Sequence, residues 1–179
     1  NKFFIKSCEK IFCYSGKIIN FPNKYIDKIS VIPALLRKNF YDVKKTEGID
    51  KNITLLIIGG SQGAKIFDTL IKFSIIELSK KYSLKIYQQT NSVNFEELKN
   101  FYKDKNIDCK LFDFNEDISN FMSKSNMCIT RAGASTLAEL VFLNLPCVTI
   151  PLPTSMDNHQ YENAFFYNEI GCNWILNQN

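Results

Sequence analysis

The sequence is poor in the residues that usually build metal sites, and this narrows the chemistry that it supports. It has one histidine, His159, and its six cysteines include no C-x-x-C pair. No Asp-x-Asp motif occurs either, so we expect neither a zinc site nor a metal that bridges a sugar diphosphate, and we expect no cofactor. Cys128 and Cys147 lie in apolar runs where a thiol acts as a small hydrophobic side chain, which favours a reducing compartment.

Long apolar runs and a strong excess of one charge are absent too. Proline or glycine breaks the longest apolar runs well short of a membrane span. The net charge is +4 at pH 7, and no lysine run is interleaved with aromatic residues as in single-strand nucleic-acid binders. We therefore expect a cytosolic or peripheral protein that binds no nucleic acid.

Arginine is also scarce. Arg37 and Arg131 are the only arginines among 22 cationic residues. Because the planar guanidinium binds an anion through two parallel hydrogen bonds and lysine does not, each of these arginines invites a specific role.

Strands alternate with helices along most of the chain. The 179 residues can bury one full core, whereas two Rossmann-like domains would need about twice that length. Strands apolar on both faces predict an α/β fold with a parallel sheet flanked by helices. The pattern predicts strands at residues 53–58, 84–89, 109–112, 127–130, 147–150 and 174–176. The first helix is predicted to bury one stripe, namely Phe67, Leu70, Ile71, Ser74, Ile75 and Leu78.

The most informative stretch covers residues 127–164. It predicts a buried strand, a glycine turn at 131–133, an amphipathic helix through Leu143, a second strand and a further helix start. Two strands that each deliver their carboxyl end to a helix N-terminus form a ligand crevice. Exposed amides and the helix dipole favour an anionic ligand there, such as a phosphate.

A glycine-rich run, residues 59–63, follows the first predicted strand and opens a helix. This context is typical of a phosphate loop, but a tight turn in which Ser61 caps the helix needs the same glycines. Thr136 and Glu139 have capping-box spacing, as have Asp157 and Gln160. His159 on its own is more often a surface or core residue than a catalyst.

Four motifs together closely resemble the MurG family. They are Arg-Ala-Gly-Ala-Ser-Thr-Leu-Ala-Glu (131–139), Leu-Pro (145–146), Asp-Asn-His-Gln-Tyr-Glu-Asn-Ala (157–164) and Gly-Gly-Ser-Gln-Gly-Ala (59–64). The resemblance implies the Rossmann-like C-terminal domain of a GT-B fold. It implies transfer of GlcNAc from UDP-GlcNAc to undecaprenyl-diphospho-MurNAc-pentapeptide, at the cytoplasmic face of the bacterial inner membrane. That reaction serves peptidoglycan synthesis, and so cell shape and division.

The same resemblance assigns the substrate-binding residues. Ser61 would contact the donor diphosphate, Asn115 the uracil through its backbone, Glu139 the ribose hydroxyls and Gln160 the GlcNAc, with Asn163 supporting it. Residues that would contact the nucleotide sugar through backbone and hydroxyl groups are Ala134, Ser135, Thr136, Leu137 and Ala138. Arg37 would match a linker arginine that reaches the nucleotide, although here three residues separate it from Pro33 where the family usually has one. The general base would lie in the N-terminal domain.

By this resemblance, residues 1–37 close an N-terminal acceptor domain and form the linker, and residues 38–179 form a UDP-GlcNAc-binding domain truncated at its C-terminus. A separate chain that supplies the N-terminal half is then a possible partner. Two alternatives stay open: a non-catalytic nucleotide-binding fragment of a split or decayed gene, and another UDP-GlcNAc-using GT-B enzyme.

Overall fold

A computed structural model of the chain describes residues 2–16, 18, 20–45, 52–60, 65–113 and 117–178. The chain forms two compact units, Asn1–Leu35 and Leu36–Asn179. Arg37 therefore lies in the larger unit. The assignment of residues 1–37 to a different domain of the family stays a prediction.

The smaller unit is built on two short parallel strands, β1 (Ile11–Cys13) and β2 (Ile29–Val31). The ammonium group of Lys28 holds the unit together, because it donates to three backbone carbonyls in segment 5–8 at 2.6 to 3.2 Å. Two 3-10 helices, Lys2–Lys6 and Asn23–Lys28, also belong to the described part of this unit.

The larger unit contains a sheet of six parallel strands. In chain order they are β3 (Ile53–Ile58), β4 (Leu84–Gln89), β5 (Asp108–Phe112), β6 (Met127–Thr130), β7 (Cys147–Thr149) and β8 (Asn173–Ile175). Their spatial order is β5-β4-β3-β6-β7-β8, and all neighbours are parallel. The predicted α/β fold with a parallel sheet is thus confirmed, and the predicted strand ends agree to within one residue.

Helices cover both faces of this sheet. They are α1 (Lys72–Ser79), α2 (Phe95–Asp104), α3 (Ile118–Ser123), α4 (Ala134–Phe142) and α5 (His159–Glu169). Alternate residues of β3 enter two separate cores: Leu56 and Ile58 pack with side chains of α3, α4 and α5, while Leu55 and Ile57 pack with side chains of α1 and α2. Apart from Thr54, the central strand is therefore apolar, because both of its faces are buried.

A π-helical turn, Phe67–Ile71, precedes α1 and changes the predicted stripe. Phe67, Ile71 and Ile75 are buried, whereas Leu70 and Leu78 are exposed, contrary to the prediction. The wider π turn accounts for Leu70, because each turn holds more residues and a side chain three positions after Phe67 leaves the buried face.

The strand order reverses between β3 and β6. In open parallel sheets, ligands bind in the crevice outside the carboxyl ends of the strands at such a point. Gly59 and Gly60 follow β3, and residues 131–133 follow β6. The fold therefore brings the two glycine-containing motifs to the same edge of the sheet.

Candidate functional site

A crevice of about 650 Å³ lies where the strand order reverses. Its walls are the segments that follow three strands and the first turns of two helices. Gly59 and Gly60 follow β3, Thr130 ends β6, and Arg131 and Gly133 follow it. The loop after β7 contributes Leu152, Thr154, Ser155 and Met156, and α4 and α5 contribute 134–136 and 159–160. The volume lies within the range of about 300–1,000 Å³ that is typical of small-molecule sites.

The N-terminus of α4 opens into this crevice. Gly133 is the N-cap residue in an extended conformation, and no side chain from the described ranges caps the helix. Ala134, Ser135 and Thr136 of the first turn all line the crevice. Their backbone amides and the positive end of the helix dipole therefore make this wall attractive to an anion.

The backbone after β3 needs glycine on the opposite wall. Gly60 has φ +78°, in the left-handed region that strains a residue with a side chain. The predicted diphosphate ligand Ser61 comes next, but it lies outside the described residues, as does Asn115. Both assignments stay predictions.

Glu139 pairs with Arg37 through a two-pronged ion pair. The Nε atom of Arg37 lies 2.7 Å from Oε1 of Glu139, and Nη2 lies 2.8 Å from Oε2. Thr136 and Glu139 do not form the capping box that their spacing allows, because α4 begins at Ala134 and both residues lie inside the helix. Each carboxylate oxygen has two lone pairs, so this fork leaves each with one further acceptor position.

Gln160 and Asn163 of α5 each hold a loop of the crevice. Oε1 of Gln160 accepts a hydrogen bond from the backbone N–H of Leu152 at 2.9 Å, and Nδ2 of Asn163 donates to the carbonyl of Ala132 at 3.1 Å. Asp157 and Gln160 do not form a capping box either. Helix α5 begins at His159, and the side-chain oxygen of Gln160 accepts its hydrogen bond from the loop residue Leu152. Asn163 supports the turn before α4, a role different from the predicted support of Gln160.

Arg131 links three elements around the crevice. Its Nη1 atom donates to the carbonyls of Ile150 at 2.8 Å and Pro151 at 3.3 Å, and its guanidinium lies 5.4 Å from the centre of the Phe67 ring. Burial lowers the pKa of this guanidinium from its usual value. The scarcity of arginine singled out Arg131 in the sequence, but its place in the crevice wall was not predicted.

Not every predicted residue presents its side chain to the crevice. Leu137 and Ala138 are buried, and Leu137 belongs to the core beneath α4, so only their backbone atoms remain for a ligand. His159 is exposed on the crevice wall, with Nδ1 2.8 Å from the carbonyl of Met156. Leu152, Thr154 and Ser155 also line the wall, although the sequence marked their loop only by its prolines.

A polar network is centred on Asp68, and sequence reasoning missed it. The carboxylate of Asp68, in the π turn, accepts hydrogen bonds from Gln88, Thr90 and Asn94, each at 2.9 Å. Tyr102 donates to Oε1 of the buried Gln88 at 2.6 Å. The network joins the start of the first helix to the carboxyl end of β4.

The described residues contain neither a metal-binding cluster nor a membrane-spanning helix. No cluster of three or more histidine, cysteine, aspartate or glutamate side chains there has an arrangement that could hold a metal ion. None of the helices in the described ranges has the length and apolar character needed to span a bilayer.

Residues 54–179 match the model of the Glycosyltransferase family 28 C-terminal domain. The chain belongs to this family. The family 28 match runs from β3 to the end of the chain and so includes both glycine-containing motifs and the whole crevice wall.

Two relatives of this family 28 chain carry the name UDP-N-acetylglucosamine--N-acetylmuramyl-(pentapeptide) pyrophosphoryl-undecaprenol N-acetylglucosamine transferase. The protein of Pelagibacter ubique is 65% identical over 99% of the chain and 50% of its own length. The protein of Rickettsia canadensis is 39% identical over 100% of the chain and 52% of its own length. The chain thus spans about half the length of these curated relatives.

Solved structures agree with the family 28 assignment. The crystal structure of Acinetobacter baumannii MurG matches 98% of the chain and 49% of that protein with a TM-score of 0.78 and 26% identity. The glycosyltransferase of kitacinnamycin matches 84% of the chain with a TM-score of 0.58 at 14% identity, which shows the fold alone. The resemblance to the MurG family and its C-terminal GT-B domain is confirmed.

Proposed function

We propose that this chain is the donor-binding half of a glycosyltransferase that moves GlcNAc from UDP-GlcNAc to undecaprenyl-diphospho-MurNAc-pentapeptide. The observation that carries the proposal is the crevice at the strand reversal, where the uncapped N-terminus of α4 faces the glycine turn after β3. Relatives named for an N-acetylglucosamine transferase support the same reaction.

The diphosphate of the donor would lie against the N-terminus of α4. Amides of Ala134, Ser135 and Thr136 would bind it, together with Ser61 after the glycine turn. In the transfer step, the acceptor 4-hydroxyl attacks the anomeric carbon and UDP departs with the bonding electron pair. These amides would stabilise the negative charge that develops on UDP, so the site does not depend on a bridging metal.

The sugars and the base would extend to either side of the diphosphate. Gln160 lines the crevice and would bind GlcNAc hydroxyls through its Nε2 atom, because its Oε1 atom is held by the loop after β7. Glu139 would accept hydrogen bonds from the ribose hydroxyls, and the backbone of Asn115 would read the uracil.

We place the general base and the acceptor site in the half of the family's length that this chain does not cover. The whole enzyme would act in peptidoglycan synthesis as a peripheral protein at the cytoplasmic face of the inner membrane. A partner chain that carries the N-terminal half would complete the site between the two domains.

Calorimetry with UDP and UDP-GlcNAc in excess chelator tests the proposal. We expect both ligands to bind, because amides and an arginine-held carboxylate need no metal. ADP is the matched control, since it carries the same diphosphate and ribose but lacks uracil, and it should bind more weakly. No binding of either uridine ligand, or binding that chelator abolishes, would contradict the proposed site.

A further inference from the structure

We infer that Arg37 is a positioning residue that acts on the proposed nucleotide site through Glu139, without contacting the nucleotide itself. This inference deepens the proposed function and rests on it. It departs from the role that the resemblance implies, in which the linker arginine reaches the nucleotide.

The ion pair fixes the direction of the Glu139 carboxylate. The side chain of Glu139 is 2% exposed and that of Arg37 is 46% exposed, so the carboxylate is buried while its partner covers it from the outside. Two parallel bonds of 2.7 and 2.8 Å hold both carboxylate oxygens in one plane with the guanidinium. A carboxylate held in this way has a fixed plane, and the one lone pair left on each oxygen lies to the side of the fork.

Glu139 lies on α4, the helix whose first turn forms part of the crevice wall. Neither Glu139 nor Arg37 belongs to the crevice wall among the described residues, but Ser135 and Thr136 do. Glu139 follows them by four and three residues, which places it one turn further along the same face of the helix. A nucleotide whose diphosphate lies at the N-terminus of α4 would reach Glu139 with its ribose.

Contacts within the protein anchor the Arg37 guanidinium. Its guanidinium lies 5.2 Å from the centre of the Phe40 ring, and Phe40 is completely buried. Residues 36–45 form a strap alongside α4, in which Tyr41 packs edge-on against Phe142 at 5.6 Å and Lys45 donates to the carbonyl of Asn144 at 2.5 Å. Two of its five N–H donors are used on Glu139, and the same guanidinium lies over the Phe40 ring, so the contacts of Arg37 within the protein hold it beside the carboxylate.

The ion pair also offsets the negative charge of the buried Glu139 carboxylate. A lone buried carboxylate would be costly to bury and would repel the diphosphate of the ligand. The guanidinium neutralises it and leaves acceptor positions for two hydroxyls. Lysine would supply the charge but not the two-pronged geometry.

A double-mutant cycle of Arg37→Met and Glu139→Gln tests the inference, with calorimetric binding of UDP and 2′-deoxy-UDP to the full chain. If Arg37 acts through Glu139, each single change should weaken UDP binding by about tenfold, and the double variant should bind no more weakly than either single variant. The effect of Arg37→Met should be much smaller for 2′-deoxy-UDP. Arg37→Lys should not restore affinity, because it keeps the charge without the fork.

Lys45→Met is the matched control, since it removes a cation from the same strap without touching Glu139. It should bind UDP as the unmodified chain does, and thermal unfolding shows that each variant is folded. Arg37→Lys keeps a cation beside the buried carboxylate and so provides the test if Arg37→Met does not fold.

Two results would overturn the inference while leaving the proposed function intact. One is a double variant whose loss of UDP affinity is the product of the single losses, about a hundredfold. The other is an equal loss for UDP and 2′-deoxy-UDP in Arg37→Met. If the unmodified chain bound no uridine nucleotide, the proposed function would fail and the inference with it.

Discussion

Gln160 uses one end of its carboxamide on the protein and has the other end available to a ligand. Its Oε1 atom holds the backbone N–H of Leu152, and its Nε2 atom donates to no protein atom within the described ranges. A carboxamide divided in this way both shapes the loop after β7 and offers a donor for a sugar hydroxyl.

The substitution Gln160→Glu distinguishes the hydrogen bond to the loop from the proposed hydrogen bond to the sugar. A carboxylate oxygen still accepts the hydrogen bond from Leu152, but the donor for the sugar is lost. The added charge should weaken both UDP and UDP-GlcNAc, so the ratio of their affinities is the informative quantity. We expect calorimetry to show that the ratio shifts by about tenfold against UDP-GlcNAc. An unchanged ratio would remove Gln160 from the GlcNAc site.

Residue spacing alone gave the wrong partner for Glu139. Its spacing from Thr136 fits a capping box, but its true partner, Arg37, lies 102 residues away in the chain. A helix that begins at Ala134 places Glu139 too far from the N-terminus to cap it, and local spacing does not fix that start. The scarcity of arginine was the better signal, since both arginines make specific contacts around the proposed site.

Among the secondary-structure elements, the π turn at Phe67–Ile71 was the least predictable. Most strand bounds followed from apolar runs, because a strand buried on both faces is mostly apolar. The π turn has no comparable sequence signal. Its Asp68 carboxylate is bound by three side chains from the segment 88–94, which only the folded sheet brings near it.

Asp68→Asn should therefore destabilise the domain. An amide has one acceptor oxygen where the carboxylate has two, so the substitution loses acceptors for up to two of the three donors and turns an NH₂ group toward them. We expect the free energy of unfolding to fall by about 2 kcal/mol and the melting temperature by about 4–8 °C. Asp104→Asn on the exposed side of α2 is the control and should change stability by less than about 0.5 kcal/mol. Equal melting temperatures for the two variants would contradict the role of the network.

The paired strands β6 and β7 carry two buried thiols that make stability depend on alkaline pH. Cys128 lies opposite Cys147, and burial raises the pKa of Cys147 from 9.0 to about 12 and that of Cys128 well above 9.0, with Cys172 adding to the shift of Cys147. In the unfolded chain these thiols ionise near their ordinary values, so above about pH 9 the unfolded state binds fewer protons. Their contribution is thus complete below about pH 9 and is lost as the pH rises toward 12.

Cys147→Ala should reduce this dependence. Urea unfolding at pH 7.5 and 10.5 should show a smaller drop in the free energy of unfolding than in the unmodified chain, by about 2 kcal/mol for one thiol. The overall stability of the variant will also change, but the difference between the two pH values isolates the ionisation. The same drop in both proteins would mean that the Cys147 thiol ionises in the folded state as readily as in the unfolded chain.

At the scale of the whole molecule, the chain contains a larger unit, whose six-stranded sheet carries the proposed donor crevice, and a second, smaller unit. In that unit, Phe3, Phe4, Phe12 and Val31 are exposed around two parallel strands. Parallel strands usually lie in sheets with both faces covered. The chain also spans about half the length of its curated relatives. Both observations agree with a protein whose reaction needs a second domain.

The purified chain should therefore bind UDP without transferring GlcNAc. In the GT-B arrangement that the family resemblance implies, the donor site of one domain faces the acceptor and base of another, and under the proposed function this chain supplies only the donor side. The measurement is release of UDP from UDP-GlcNAc in the presence of the lipid-diphosphate acceptor. The Pelagibacter ubique relative is 65% identical to this chain over the region that the two proteins share. Adding the other, N-terminal half of that relative should restore transfer if the two halves can associate. Transfer by the chain alone would show that it contains its own base, and retained UDP binding without restored transfer would favour a non-catalytic nucleotide-binding fragment.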